Sequence, residues 1–205
     1  MDSKKVTGII LAGGRSSRMG IEKGMVNFQG QPLIQYSIDV LKNYCSRIII
    51  STNSNAYYSL GYPVQNDIVH EAGPMGGIYS SLLHSKTDYN LILSCDTPFV
   101  TSFLLRKILE NSEGYQVVIP LSRQGFPEPL IGFYHKNNTT GMLGFINNRN
   151  LKLTDYIETT IYKAIPVYQD PTLFDPYLFL NFNSLGDIKA FQKKNNKDGI
   201  PPGRE

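Results

Sequence analysis

Short apolar runs alternate with amphipathic stretches through the first half of the chain. Residues 6–11 form a compact apolar run that reads as a fully buried strand, ending at Gly13-Gly14. Further on, Ile34, Ile38 and Leu41 fall at i, i+4 and i+7, which predicts a helix opening at Gln31-Pro32, where proline is tolerated in the first turn. Residues 47–51 and 62–65 read as the next two strands. A helix then starts at Gly73-Pro74 and runs to about Ser85, and residues 89–94 make a fourth strand. Thr101 is placed to cap a helix carrying Leu104, Leu105, Ile108 and Leu109. This order predicts an α/β fold with a mostly parallel sheet covered on both faces.

The second half is less regular. Residues 116–120 and 130–134 read as strands joined by a polar loop, residues 121–129. Helical segments follow near residues 137–147 and 154–159, then strands near 161–167 and 178–182. Ser184 can cap a last helix ending near Gln192. From Lys193 the chain is polar and rich in proline and glycine, so residues 193–205 are expected to be a flexible tail and residues 1–192 one domain. No internal repeat or linker divides that domain.

Composition narrows the class. At 205 residues, 41% hydrophobic and 18% charged, the chain suits one globular α/β domain with a sizeable core. A net charge of +3 is too small to imply a nucleic-acid partner. Cys45 and Cys95 form no CxxC pair, which fits a reducing compartment and argues against a thiolate metal site. Lys4-Lys5 ahead of the apolar run has the charge of a signal peptide, but the run is too short for that segment's apolar core. No stretch approaches the about 18 apolar residues of a membrane span. A cytoplasmic protein without membrane contact is expected.

The loop after the first strand carries the densest chemistry. It holds two hydroxyls, Ser16 and Ser17, and three cations, Arg15, Arg18 and Lys23. Glycines let the backbone approach a ligand, successive N–H groups in such a turn make an anion-binding concavity, and the cations can neutralise a polyphosphate. A triphosphate cradle at the carboxyl end of the strand is one reading. A glycine-rich strand-to-helix turn with solvated arginines is the other. The P-loop pattern fails because Gly24 follows Lys23, and the dinucleotide fingerprint fails because Arg15 stands in place of its second glycine.

Two acidic segments belong to the same end of the sheet. Asp96, in Ser94-Cys95-Asp96-Thr97-Pro98-Phe99, follows the strand at residues 89–94, and strand carboxyl ends form the ligand crevice of an open parallel sheet. A carboxylate there can hold Mg²⁺, which takes the rest of its shell from water and phosphate oxygens; capping the helix near Thr101 is its structural alternative. Asn66-Asp67 precedes Gly73-Pro74-Met75-Gly76-Gly77, where the glycines permit close backbone approach and the helix start favours anions. An Asx-turn would equally account for Asp67. His70, His84 and His135 have no metal-ligand spacing, and no nucleophile elbow occurs.

The first loop closely resembles the signature Leu-Ala-Gly-Gly-x-Ser-x-Arg-Met-Gly-x-x-Lys of the Rossmann-like nucleotidyltransferases, and within them the molybdenum cofactor guanylyltransferases. Leu11, Ala12, Gly13, Gly14, Ser16, Arg18, Met19, Gly20 and Lys23 stand at its fixed positions. The resemblance extends from residue 6 to about 191. It implies a three-layer α/β/α fold of the nucleotide-diphospho-sugar transferase type, with a mostly parallel central sheet. Cys-Asp-Thr-Pro-Phe at residues 95–99 resembles the guanylyl version of the family's metal motif, which implies Mg²⁺ on Asp96.

The implied nucleotide site comprises Leu11, Ala12, Gly13, Gly14, Arg15, Lys23, Ser51, Asn53, Asp67 and Asp96, with Arg18, Lys23 and Asp96 carrying the catalysis. Ser51 stands where the family often has the first asparagine of Asn-x-Asn, leaving Asn53 as the amide of that segment. Asn181-Phe182-Asn183-Ser184 resembles the family's Asn-x-Asn-Thr-Pro-Glu-Asp segment, with Leu185 and Gly186 replacing its proline and glutamate. Both asparagines flank Phe182 and are expected on one side, contacting metal or acceptor; as turn residues before a helix cap they need no function. Arg123 and the loop at residues 124–129 are expected to help build the acceptor site.

The reaction so implied is transfer of GMP from GTP to the terminal phosphate of molybdopterin or its molybdenum form, with release of pyrophosphate. A cofactor-delivery protein or a molybdoenzyme is the partner class this leaves open. A related enzyme using CTP or a sugar phosphate is an alternative on the same scaffold, since fold does not fix substrate. A nucleotide-binding homologue without catalysis is another, because residues 181–186 depart from the family's segment.

Overall fold

The computed structural model describes residues 5–13, 22–173 and 175–198. Gly14, Arg15, Ser16, Ser17, Arg18, Met19 and Gly20 of the signature lie outside them. Nine strands occur among the described residues: β1 (Val6–Leu11), β2 (Asn27–Phe28), β3 (Gln31–Pro32), β4 (Arg47–Ser51), β5 (Val64–Gln65), β6 (Tyr89–Ser94), β7 (Val117–Leu121), β8 (Ile131–His135) and β9 (Tyr162–Pro166). The helices are α1 (Leu33–Lys42), α2 (Gly73–His84), α3 (Ser102–Glu110), α4 (Asn138–Asn147), α5 (Leu153–Ile157) and α6 (Leu185–Asp198).

Seven strands form one sheet in the order β5-β4-β1-β6-β8-β7-β9. β1 pairs in parallel with both β4 and β6, and β7 pairs in parallel with β9. β8 is antiparallel to both its neighbours, because a loop and not a helical crossover connects it to β7. All six residues of β1 are buried, as expected of a parallel strand covered on both faces. Val6 and Ile10 point into the layer of α1 and α3, with Ile38, Leu41, Leu104 and Ile108. Ile9 and Leu11 point the other way, into the layer of α2, α4 and α5, with Met75, Ile78, Met142 and Tyr156. The fold is therefore a three-layer α/β/α sandwich. The carboxyl ends of β1, β4, β6, β7 and β9 all open on one edge, the crevice side of such sheets.

The predicted helix start at Gln31-Pro32 is corrected to Leu33. These residues pair with Asn27–Phe28 in a hairpin whose turn residues, Gln29 and Gly30, both have positive φ (50° and 95°). Asn27 Oδ1 accepts from the Gly30 N–H at 3.1 Å, and Pro32 becomes the extended N-cap of α1. A second correction concerns residues 178–182, predicted as a strand. Among the described residues their backbone bonds are turn bonds, Leu178 to Asp175 and Leu180 to Tyr177, and one tether, from the Phe182 N–H to the Asp96 carbonyl at 3.1 Å. The apolar residues there pack into two different clusters: Leu178 joins the α1–α3 layer, and Phe182 joins a small core with Val26, Phe28, Leu33 and Ile188. That small core is aromatic; Phe28 lies 5.0 Å from Phe182, 5.9 Å from Phe99 and 5.9 Å from Phe191, ring centre to ring centre. It fastens the hairpin and α6 beside the end of β6. Helix α6 also continues to Asp198, past the predicted end at Gln192.

Candidate functional site

Two neighbouring clusters form at the crevice edge, one on each side of the end of β1. The Ala12 N–H donates to the Ser51 carbonyl at 2.9 Å, and the Cys95 N–H donates to the Leu11 carbonyl at 3.1 Å. These bonds extend the β4–β1–β6 ladder past the strands and set Ser51, Leu11, Ala12 and Asp96 side by side.

The first cluster surrounds Gly77 in the second turn of α2. A Cβ there would come 2.9 Å from Ser51 Oγ, 3.4 Å from Asp67 Oδ1 and 3.4 Å from Leu11 Cδ2. Only glycine lets the helix approach the strand ends so closely. Ser51 is buried, and its hydroxyl donates to the Gly77 carbonyl at 3.3 Å. Its side chain is thus committed to holding α2. Asn53 Oδ1 accepts from the Asp67 N–H at 2.9 Å, which brings the segment's remaining amide against Asp67. Burial pushes the Asp67 carboxyl above its ordinary range, opposed by the charge of His70 and by Asn53. Gly13 has open space where a side chain would stand: the nearest atom to its virtual Cβ is the Ser51 carbonyl oxygen at 3.9 Å.

The second cluster gathers residues far apart in sequence. Lys23 Nζ pairs with Asp96 Oδ2 and donates to Asn183 Oδ1 at 2.8 Å. Ser94 Oγ donates to Asp96 Oδ1, so each carboxylate oxygen has a partner. Asn183 Nδ2 donates to Asn181 Oδ1 at 3.3 Å, so both amides lie on one side, as expected, with Phe182 buried between them. The Thr101 hydroxyl accepts from the Leu104 N–H at 3.3 Å and caps α3, leaving Asp96 free of that task. Burial pushes the neighbouring Cys95 thiol up to about 12, which removes it as a nucleophile or thiolate ligand.

Among the described residues no group of three or more His, Cys, Asp or Glu side chains gathers. A metal here would rest on the oxygens of Asp96 and Asn183, which already converge on one cation, the Lys23 ammonium. One carboxylate plus a neutral oxygen is the hard, incomplete donor set that Mg²⁺ uses when phosphate and water complete its shell. The residues fit that ion.

Arg123 lies elsewhere. It lines a cleft of about 280 Å³ between the β7–β8 loop and residues 167–180. Leu180 lines the cleft and directly precedes Asn181, so the chain itself links the cleft to the Asn181–Asn183 segment. Arg15, Arg18 and Gly14 lie outside the described residues.

Several supporting residues were not singled out from the sequence. Ser94 could have been, since it stands two residues before Asp96 at a strand end, where alternate side chains share a face. Asp187 could have been as well: Ser184-Leu185-Gly186-Asp187 has capping-box spacing. Asp187 Oδ2 accepts from the N–H groups of Asn183 and Ser184 at 2.8 and 2.9 Å, and Ser184 Oγ accepts from the Asp187 N–H at 3.1 Å. Gly24 had no such signal. Its N–H donates to the buried Tyr57 hydroxyl at 3.2 Å, and a Cβ there would meet that oxygen at 2.9 Å, so the turn bearing Lys23 sits flat on Tyr57.

Residues 8–152 match the MobA-like NTP transferase domain. A probable molybdenum cofactor guanylyltransferase of Flavobacterium johnsoniae is 32% identical over 183 residues, 89% of this chain and 94% of that protein. The crystal structure of a molybdopterin-guanine dinucleotide biosynthesis protein A from Archaeoglobus fulgidus superposes with a TM-score of 0.75 at 22% identity, over 93% of this chain and 99% of that one. A 2-C-methyl-D-erythritol 4-phosphate cytidylyltransferase from Thermus thermophilus shares the fold at a TM-score of 0.67 and 9% identity, over 92% and 98% of the two chains.

Proposed function

The chain belongs to the MobA-like NTP transferase domain family, and from that premise we propose that it transfers GMP from GTP to the terminal phosphate of molybdopterin or its molybdenum form. An acceptor phosphate oxygen attacks the α-phosphorus of GTP, the bond from that phosphorus to the bridging oxygen breaks, and pyrophosphate leaves. The attacking oxygen is already anionic, so no general base is needed. Positioning and charge neutralisation carry the rate.

The observation that supports this most is the convergence of Lys23, Asp96 and Asn183 next to the Leu11–Ser51–Asp67 cluster. On this reading the nucleotide lies across the end of β1. Leu11, Ala12, Gly13 and Gly14 meet it with backbone, Asn53 and Asp67 line it, and Ser51 acts indirectly by fixing α2. Lys23, Arg15 and Arg18 hold the β- and γ-phosphates and stabilise the departing pyrophosphate. Asp96, with Asn183, would hold Mg²⁺, which when bound neutralises charge on the reacting phosphates. Asn181, Asn183 and Arg123 face the acceptor. Such a reaction belongs in the cytoplasm, where GTP is at hand.

Both asparagines remain engaged, and Ser184 with Asp187 still caps α6 despite Leu185 and Gly186. This favours a working enzyme over a binding-only homologue. The test is pyrophosphate release from GTP and Mg²⁺ with purified molybdopterin, and mass detection of the guanine dinucleotide. Release that needs no acceptor, or none with it, overturns the reading.

A further inference from the structure

The cleft beside Arg123 has features that folding alone does not explain. Its outer wall is a tightly built turn: the Ser122 N–H donates to the Phe126 carbonyl at 2.8 Å, Gly125 N–H to the Ser122 carbonyl at 2.9 Å, and Phe126 N–H to Ser122 Oγ at 3.2 Å. This turn holds Phe126 with 67% of its surface exposed. Tyr168, 48% exposed, lines the same cleft from the segment after β9. Glu128 lies in the wall, fixed by its N–H to the Pro120 carbonyl at 3.0 Å. Among the described residues its carboxylate meets no hydrogen-bond or ion-pair partner, although it is only partly exposed. Two aromatic faces and one unpartnered carboxylate thus share a space at the small end of ligand pockets.

We propose that this cleft takes the pterin ring of the acceptor, with Glu128 accepting from the two parallel N–H groups of its amino-pyrimidinone edge and Phe126 and Tyr168 covering its faces. The inference rests on the acceptor being a phosphate-bearing pterin, as argued above. A carboxylate and a planar pair of N–H donors make short, charge-assisted bonds, and exposed aromatics stack on flat heterocycles. A sugar phosphate has neither the flat faces nor the paired donors. Position agrees: β7, whose end carries the turn, stands two strand spacings from β6 and Asp96, about 10 Å along the crevice edge. That is a span suited to an acceptor with its phosphate at Asp96 and its ring in the cleft.

Guanine carries the same amino-pyrimidinone edge, so the experiment separates the two sources. Binding of 6-hydroxymethylpterin is followed by quenching of its own fluorescence, in wild type, Glu128→Gln and Phe126→Ala; GTP affinity is measured on the same proteins. Phe126 is exposed, so its variant keeps the fold. Each substitution is expected to weaken pterin about tenfold or more, leave GTP affinity unchanged, and raise the KM for molybdopterin but not for GTP. Guanosine should not displace the pterin. No pterin binding by wild type, or pterin binding unchanged in both variants, overturns the proposal. Equal loss of GTP affinity, or displacement by guanosine, makes the cleft a guanine pocket and also overturns it. The pterin titration needs no turnover, so it decides the cleft even if GMP transfer to molybdopterin fails.

Discussion

Lys23 Nζ donates to Asn183 Oδ1 at 2.8 Å across 160 positions of sequence while pairing with Asp96. The first loop, the end of β6 and the start of α6 are thereby joined through one ammonium group. A cation is held where the fold gathers oxygen donors, and this relationship motivates the first two predictions.

Asp96→Asn keeps the shape of the side chain but loses its charge. Losing one metal contact costs ~2 kcal/mol of transition-state stabilisation, roughly 30-fold in rate. Pyrophosphate release across a magnesium titration checks this. Turnover within about threefold of the parent at saturating metal removes Asp96 from the metal site.

Lys23→Ala is expected to weaken GTP binding and to slow turnover, because negative charge grows on the leaving pyrophosphate. Steady-state kinetics with GTP and a melting curve separate the effects. A change in melting temperature with unaltered GTP kinetics would make Lys23 a structural tie between Asp96 and Asn183.

Gly77→Ala should destabilise the fold by about 1–3 kcal/mol, since overpacked sites must shift backbone or side chains. The atom in the way is Ser51 Oγ, at 2.9 Å from the new carbon. Ser51→Ala in the same chain removes it and should restore most of the loss. Denaturant unfolding of both variants decides; equal instability of single and double variants would mean that the contact does not limit helix approach.

Glu128 gives a pH signature in the free protein. Burial raises its pKa, so the folded chain holds the proton more tightly than the unfolded chain does. The charged form therefore costs stability, and that cost sets in as pH rises from the unfolded value through the raised folded one. Glu128→Gln is expected to melt higher than wild type at neutral pH, with no difference below the unfolded value. Melting curves over that range check the sign.

Nucleotide choice should favour GTP over CTP by at least about tenfold, or 1.4 kcal/mol. Gly14 motivates this, because a backbone without a Cβ can come closer to a bulky purine. Gly14→Ala should then weaken GTP more than CTP. Pyrophosphate release at matched nucleotide concentrations is the measurement, and a CTP preference moves the chain to the cytidylyl branch.

Much of the fold is legible in local pattern. The apolar run at residues 6–11 is a strand because nothing polar interrupts it, and the 34/38/41 spacing is a helix because one face must meet the sheet. By residue type the Gly-Gly-x-Ser-x-Arg loop and Asp96 allow phosphate and metal chemistry, but a plain turn and a helix cap account for them equally at that level. Residues 178–182 misled because their short apolar run is divided between two separate cores, which a local pattern cannot reveal.

What tertiary structure decided was partnership. Asp67 and Asp96 can each be read locally as a turn or cap residue, and only the ladder of β4, β1 and β6 puts them in one crevice. Ser51 replaces an asparagine in sequence, and only the tertiary structure gives its hydroxyl a partner, the Gly77 carbonyl. Glu128 and Phe126 lie in the loop at residues 124–129 expected beside the acceptor, but nothing local singles them out within it, because a wall of a cleft is defined by what faces it from another part of the chain. Local sequence specifies elements through backbone preference and hydrophobic period, whereas a site needs groups from distant elements within a few ångströms, and that proximity exists only once the sheet has ordered its strands.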